Sequence, residues 1–162
     1  MTGPLLAGDE IPAILETSYT PALTASTTNP TLGTGSGQQG RYYRDPITGL
    51  VWGQARIAFG TSGTNAGSGT YRISLPTAVD NLSGSGVSGN ADVMGFGIVR
   101  DSSASTGTRT VVVSLVSATG GPGGVGLVEL AVMDGTNILV THAVPFAWST
   151  SDTIVISFCY PN

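Results

Sequence analysis

The sequence predicts an all-β domain, an antiparallel two-sheet sandwich of jelly-roll type with long Gly/Ser/Thr loops, preceded by a short extended N-terminal arm. Twenty-four glycines, frequent Thr and Ser, and β-branched runs such as Val111-Val112-Val113 suit strands joined by tight turns and sit badly in helices. Segments of alternating apolar and polar residues recur along the chain, separated by turn residues, and no stretch carries a helical apolar period. At 162 residues the chain is long enough for one domain with a proper core, and nothing marks a second.

The first element is the arm, residues 1–17. Pro4 and Pro12 forbid a regular helix or central strand, yet Leu5, Leu6, Ile11, Ile14 and Leu15 are too apolar for a solvated tail. Two fates fit equally: docking on a partner surface, or strapping across the domain's own core. The domain proper, residues 18–162, opens with Ser18 to Ala25, where Tyr19, Leu23 and Ala25 alternate and Pro21 suits an edge strand. Arg41 to Arg44 reads as a short strand, and Asp45-Pro-Ile-Thr-Gly49 as the turn into the next.

The stretch Leu50 to Pro76 reads as strand, glycine-rich turn, strand. Val51, Ala55, Ile57 and Phe59 fall on one side of a period-2 ribbon, with Gln54 and Arg56 on the other. Residues 60–69 hold no large apolar side chain and predict a mobile polar hairpin tip. Tyr71, Ile73 and Leu75 then face inward, Arg72 and Ser74 outward. Residues 81–90 form a second Gly/Ser loop. From Asp92 to Arg100 both faces are apolar, which predicts a strand covered on both sides. Thr108 to Val116 returns, and Val125 to Met133 with Ile138 to Val144 predicts a hairpin turned at Asp134-Gly-Thr-Asn137. In the closing strand Ile154, Ile156, Phe158 and Tyr160 share one face. Roughly eight or nine strands at this spacing predict the sandwich.

Charge is the most informative figure. Charged residues make up 10% of the chain and hydrophobic ones 40%, against ~25% charged in an ordinary soluble domain. A free monomer spreads more charge over its surface, so part of this surface is expected to be covered by other subunits. A net charge of −4 and six scattered arginines without a lysine argue against a nucleic-acid partner. No run reaches the ~18 apolar residues of a membrane span. The N-terminus has no basic segment of the kind a signal peptide carries, so synthesis in the cytoplasm is expected.

No catalytic, cofactor or metal site is expected. The single His142 lies in a strand pattern with no marked partner for a triad or zinc site. The lack of lysine removes a Walker P-loop and Schiff-base chemistry. G-x-G-x-x-G occurs at Gly35, Gly84 and Gly121, but none opens a helix in a βαβ unit. Carboxylates sit beside turns, except Glu129, which interrupts an apolar strand and is read as solvent-facing or ion-paired. A hairpin turn accounts for Asp134 to Asn137 without calcium. Cys159 is read as a small buried hydrophobe. Among the aromatics, Tyr71 and Trp148 read as core. The candidates for surface recognition are Trp52, Tyr42 and Tyr43, with Thr61, Asn65 and Asn81 in the polar loops.

Ser18 to Gly33, Gly40-Arg-Tyr42, Phe59-Gly60 through Gly69-Thr-Tyr-Arg-Ile-Ser-Leu-Pro76, and Pro145-Phe-Ala-Trp148 with Asp152 together resemble the C-terminal module of minor tail or fibre-like proteins of tailed bacteriophages, particularly those of actinobacteria. The resemblance implies a non-enzymatic virion structural protein, a homotrimeric β-sandwich exposed on the particle, and carries over no catalytic residues. Two placements follow from it: a tail or fibre knob that attaches to a bacterial surface glycan, or a capsid decoration protein clamping the major capsid protein. A carbohydrate-active enzyme is a third, with only scattered carboxylates behind it.

Overall fold

A computed structural model describes residues 14–79, 93–104, 107–134 and 138–162. The described residues form nine strands, every neighbouring pair antiparallel: β1 Glu16–Tyr19, β2 Leu23–Ala25, β3 Gly37–Arg44, β4 Leu50–Ala58, β5 Tyr71–Ser74, β6 Val93–Arg100, β7 Thr108–Ser117, β8 Leu127–Val132 and β9 Thr153–Pro161. They hydrogen-bond in one continuous order, β1-β3-β4-β9-β6-β7-β8-β5-β2. The pairings of β4 with β9, β5 with β8 and β6 with β7 are nested in sequence, as in one long double ribbon rolled up.

The sheet must curl. Its two edge strands, β1 and β2, are adjacent in sequence, with Tyr19 ending one and Leu23 starting the other. Four residues at full extension reach ~14 Å, so the two edges of the sheet lie that close together. Gln38 of β3 helps hold them, its Nε2 donating to the Pro21 carbonyl at 2.9 Å. The enclosed face carries one contiguous core: Val51, Ala55 and Ile57 of β4, Ile154 and Ile156 of β9, Val111 and Val113 of β7, Val128 and Leu130 of β8, and Tyr71 and Ile73 of β5. Each is in the period-2 phase that the strand pattern dictates. Gly53 is required on this face, because a Cβ there would lie 2.3 Å from the Arg41 carbonyl oxygen of the neighbouring strand and 2.9 Å from the Phe158 ring.

Several expectations change. The stretch from 50 to 76 is not a hairpin: β4 pairs with β3 and β9, whereas β5 pairs with β8 and β2. Nor is 60–69 a free tip. It is bridged to the preceding loop at Thr28↔Ser68, Thr31↔Asn65 and Thr34↔Ser62. The stretch from Ser18 to Ala25 splits at Pro21 into strands on opposite edges. Ser74 is buried rather than outward, its Oγ accepting from Ala22 N at 2.8 Å.

The strand expected to be covered on both faces, β6, is open on one side. A bulge between Val93 and Gly95 shifts its phase, so Met94 and Val99 both face the core while Phe96 and Ile98 face out, 56% and 44% exposed. Only single bridges and hydrogen bonds continue β8 into residues 138–141, as from Val140 N to Leu130 O at 2.8 Å. His142 is an exposed turn residue whose Nδ1 accepts from Gly69 N at 3.2 Å, not part of a strand. Cys159 is exposed: β9 buries its even-numbered side chains, which leaves 159 on the outer face.

Candidate functional site

The outer face of the curled sheet divides into two halves, and strand register says why. One cross-strand row runs Ser18, Arg41, Gln54, Ser157, Phe96, Val112, Ala131, and its neighbour runs Gln39, Arg56, Val155, Ile98, Thr110. On β1, β3 and β4 these rows are polar. On β6, β7 and β8 they are mostly apolar, with Met133 and Val93 also exposed nearby.

The polar half is concave. A groove of about 670 Å³ lies over Gln39, Arg41, Gln54 and Arg56, and a second of about 520 Å³ adjoins it over Tyr43, Trp52 and Ser157; Glu16, Arg41 and Gln54 border both. Tyr43 and Trp52 are direct register partners on β3 and β4, and their rings stack at 5.8 Å with 19° between planes. Glu16, the register partner of Tyr43 on β1, accepts a hydrogen bond from the Tyr43 hydroxyl. That bond favours the neutral phenol and raises the Tyr43 pKa. Arg41 stands 3.7 Å from the same carboxylate across solvent-exposed surface, a weak pairing.

Around this fixed aromatic pair the polar groups are uncommitted. The side chains of Gln39, Gln54, Arg56 and Ser157 make no hydrogen bond or ion pair with another described residue, and the Trp52 indole N–H likewise has no such partner. The site therefore offers a flat aromatic surface flanked by amide, hydroxyl and guanidinium donors, all on strands whose backbones are fixed by pairing on both sides.

Of the residues singled out from sequence, Trp52 and Tyr43 sit in this groove. Tyr42 does not. It points to the core side, with its ring edge-on to Tyr19 at 6.0 Å. Thr61 and Asn65 are exposed but away from the groove, and Asn65 is occupied locally, its Oδ1 accepting from Gly67 N at 2.8 Å. Asn81, Leu5, Leu6 and Ile11 lie outside the described residues. Ile14 and Leu15 are exposed at the sheet edge, so at these two positions the arm does not strap the core. Glu16, Gln39, Gln54 and Arg56 were not singled out. Each is one unremarkable polar residue in an alternating strand, and only the register brings them together.

Of the two readings for Glu129, solvent-facing or ion-paired, the second holds: it is buried and faces Arg72 at 2.7 Å. Trp148 and Tyr71 are core, with Trp148 packed on Phe59 and Phe146 as well. Among the described residues no group of three His, Cys, Asp or Glu side chains converges on a metal-sized space. No protein-family model, curated protein or solved structure matches the chain.

Proposed function

We propose that this chain is a non-enzymatic structural protein of a tailed-bacteriophage particle, a self-associating β-domain of jelly-roll type that serves as a tail or fibre knob and attaches to the host surface. The observation that carries self-association is the apolar half of the outer face. Phe96, Ile98, Val93 and Met133 are all about half exposed on a chain that is only 10% charged. A sheet face with that composition gains from being covered. A homotrimer is the assembly proposed, with the N-terminal segment as its anchor on a neighbouring virion protein.

The particle assignment draws support from where the resembling segments lie. Residues 18–33 are bridged to 60–69, Tyr71 and Phe59 pack on Trp148 at 5.4 and 5.6 Å, and Phe59 N donates to Asp152 O at 2.9 Å. The pieces form one connected structural unit, as a shared module requires. Nested strand pairing supports the jelly-roll reading in the same way.

Sedimentation equilibrium of the purified chain is expected to give three times the 16.3 kDa protomer mass. Gold-labelled antibody against it is expected on tail tips at a few copies per particle. A stable monomer would remove the self-association. Labelling over the head in high copy would replace the tail knob by a capsid decoration protein, and absence of label from particles would overturn the virion assignment.

A further inference from the structure

We infer that the groove over β1, β3 and β4 is a binding site for an acidic saccharide. Sugar rings present a face of C–H groups that packs on a flat aromatic surface, and rims of vicinal hydroxyls that pair with planar amides and guanidinium groups. The two adjoining grooves, which share Glu16, Arg41 and Gln54, hold this set side by side. Trp52 is braced from one side by Tyr43, which Glu16 in turn fixes through its hydroxyl. The free indole N–H and Gln54 stand beside it, and Gln39 lines the adjoining groove that Gln54 also borders. Because the stack is already formed, a ligand does not have to order it, which lowers the cost of binding.

The acidic character comes from charge. Glu16 is shared between Tyr43 and Arg41, while Arg56 projects from the same face with no carboxylate opposite it. One guanidinium is thus left unneutralised in the groove that adjoins the aromatic pair, about 13 Å along β4 from Trp52, on a chain whose overall charge is −4. A carboxylate or phosphate on the sugar is the group that a fork of N–H donors takes up in two parallel bonds. Phe96 and Ile98 begin two strands away in the same rows, so the groove adjoins the apolar half of the face without including it.

The site itself stands on geometry; its ligand source, a glycan of the host envelope, rests on the attachment reading above. The test uses the full chain in its native assembly state, with tetragalacturonate as the acidic probe and cellotetraose as the neutral one, followed by indole N–H chemical shift and ligand-observed saturation transfer. Tetragalacturonate is expected to bind with saturation and to weaken as salt is added. Arg56→Gln should weaken it about tenfold, the value of one charge-assisted bond, and leave cellotetraose unchanged. Trp52→Ala should weaken both, and Gln54→Ala, at an exposed position, serves where Trp52→Ala fails to fold. Binding of neither probe at millimolar concentration, or binding indifferent to all three substitutions, overturns the site. Equal binding of the two probes with no effect of Arg56→Gln overturns its acidic specificity. If the substitutions abolish binding yet phage adsorption is unchanged, the site stands and the attachment reading fails.

Discussion

Arg72 and Glu129 are register partners on β5 and β8, and the Arg72 Nε–H donates to Glu129 Oε1 at 2.7 Å. The Glu129 side chain is 7% exposed and that of Arg72 34%, so the carboxylate is the desolvated partner. Removing the arginine strands a buried charge, whereas removing both leaves an apolar strand pair. Arg72→Met should therefore lower unfolding free energy by about 2–3 kcal/mol, below the ~3–5 expected of a fully buried pair. Arg72→Met with Glu129→Leu should recover most of it. Denaturant midpoints of the two variants check this, and a double variant as unstable as the single one would refute it.

Asp152, fully buried, ties three segments at the start of β9. Its Oδ1 accepts from Ser102 N at 2.8 Å and its Oδ2 from Ser149 N at 2.7 Å, with the Ser102 hydroxyl at 3.1 Å. Asp152→Ala removes the acceptor from both backbone donors, which lie at the exposed Ser102 and the half-buried Ser149. A loss of about 3 kcal/mol is expected from bonds to a charged acceptor plus the orphaned donors, read as a drop in melting temperature. Asp152→Asn keeps one acceptor oxygen and should cost less.

These two residues also mark how far sequence reasoning reaches. Glu129 is legible as the odd carboxylate of an apolar strand, either solvent-facing or ion-paired, but the choice between them and the identity of Arg72 depend on pairing 57 residues away. The all-β class and the inward phase of Val51, Ile57, Ile154, Ile156 and Phe158 follow from period two alone. What period two cannot carry is pairing order. Leu50 to Pro76 looks like a hairpin because its strands are adjacent in sequence, yet the rolled ribbon sends β4 and β5 to different neighbours. The bulge at Met94 reverses inside and outside within one strand, so Phe96 is open where a covered residue is expected. The groove is illegible for the same reason. Tyr43 and Trp52 are visible as candidates, while Glu16, Gln39 and Arg56 join them only through register.

The Tyr19 hydroxyl is buried and has no hydrogen-bond partner among the described residues. Its ring packs edge-on against Tyr42 and Phe158, at 6.0 and 6.3 Å, contacts that a phenylalanine keeps. Tyr19→Phe removes the desolvated hydroxyl and should stabilise the fold by about 1 kcal/mol. A higher denaturant midpoint at unchanged slope is the expected result; a destabilised variant would mean the hydroxyl is satisfied.

Burial pushes up the phenol pKa of Tyr19, Tyr71 and Tyr160, with the charge of Asp152 adding to the effect at Tyr71 and Thr77 hydrogen bonds opposing it at Tyr160. The folded state then holds these protons more tightly than the unfolded chain, whose tyrosines titrate near pH 10. Their contribution is complete below about pH 10 and is lost as pH rises from there toward the folded-state values. Melting temperature should fall steeply in that alkaline window. Phenolate absorbance of these three should appear together with unfolding, and early, reversible titration of all five tyrosines in folded protein would contradict it.

Phe96 separates stability from assembly. It projects from β6 at 56% exposure, flanked in its row by Ser157 and Val112, and none of the buried core rests on it. Replacing it by serine loses β-propensity worth at most ~1 kcal/mol in the protomer. If the apolar half of the outer face is covered by a second copy, the aromatic ring is an anchor of that contact, and such anchors carry ~2 kcal/mol or more. Phe96→Ser should thus weaken self-association by about 30-fold or more for each such contact while moving the protomer's unfolding midpoint little. Sedimentation velocity across a dilution series reads the first quantity and denaturant unfolding the second. An assembly unaffected by Phe96→Ser and by Ile98→Ser would place the subunit contact elsewhere on the surface.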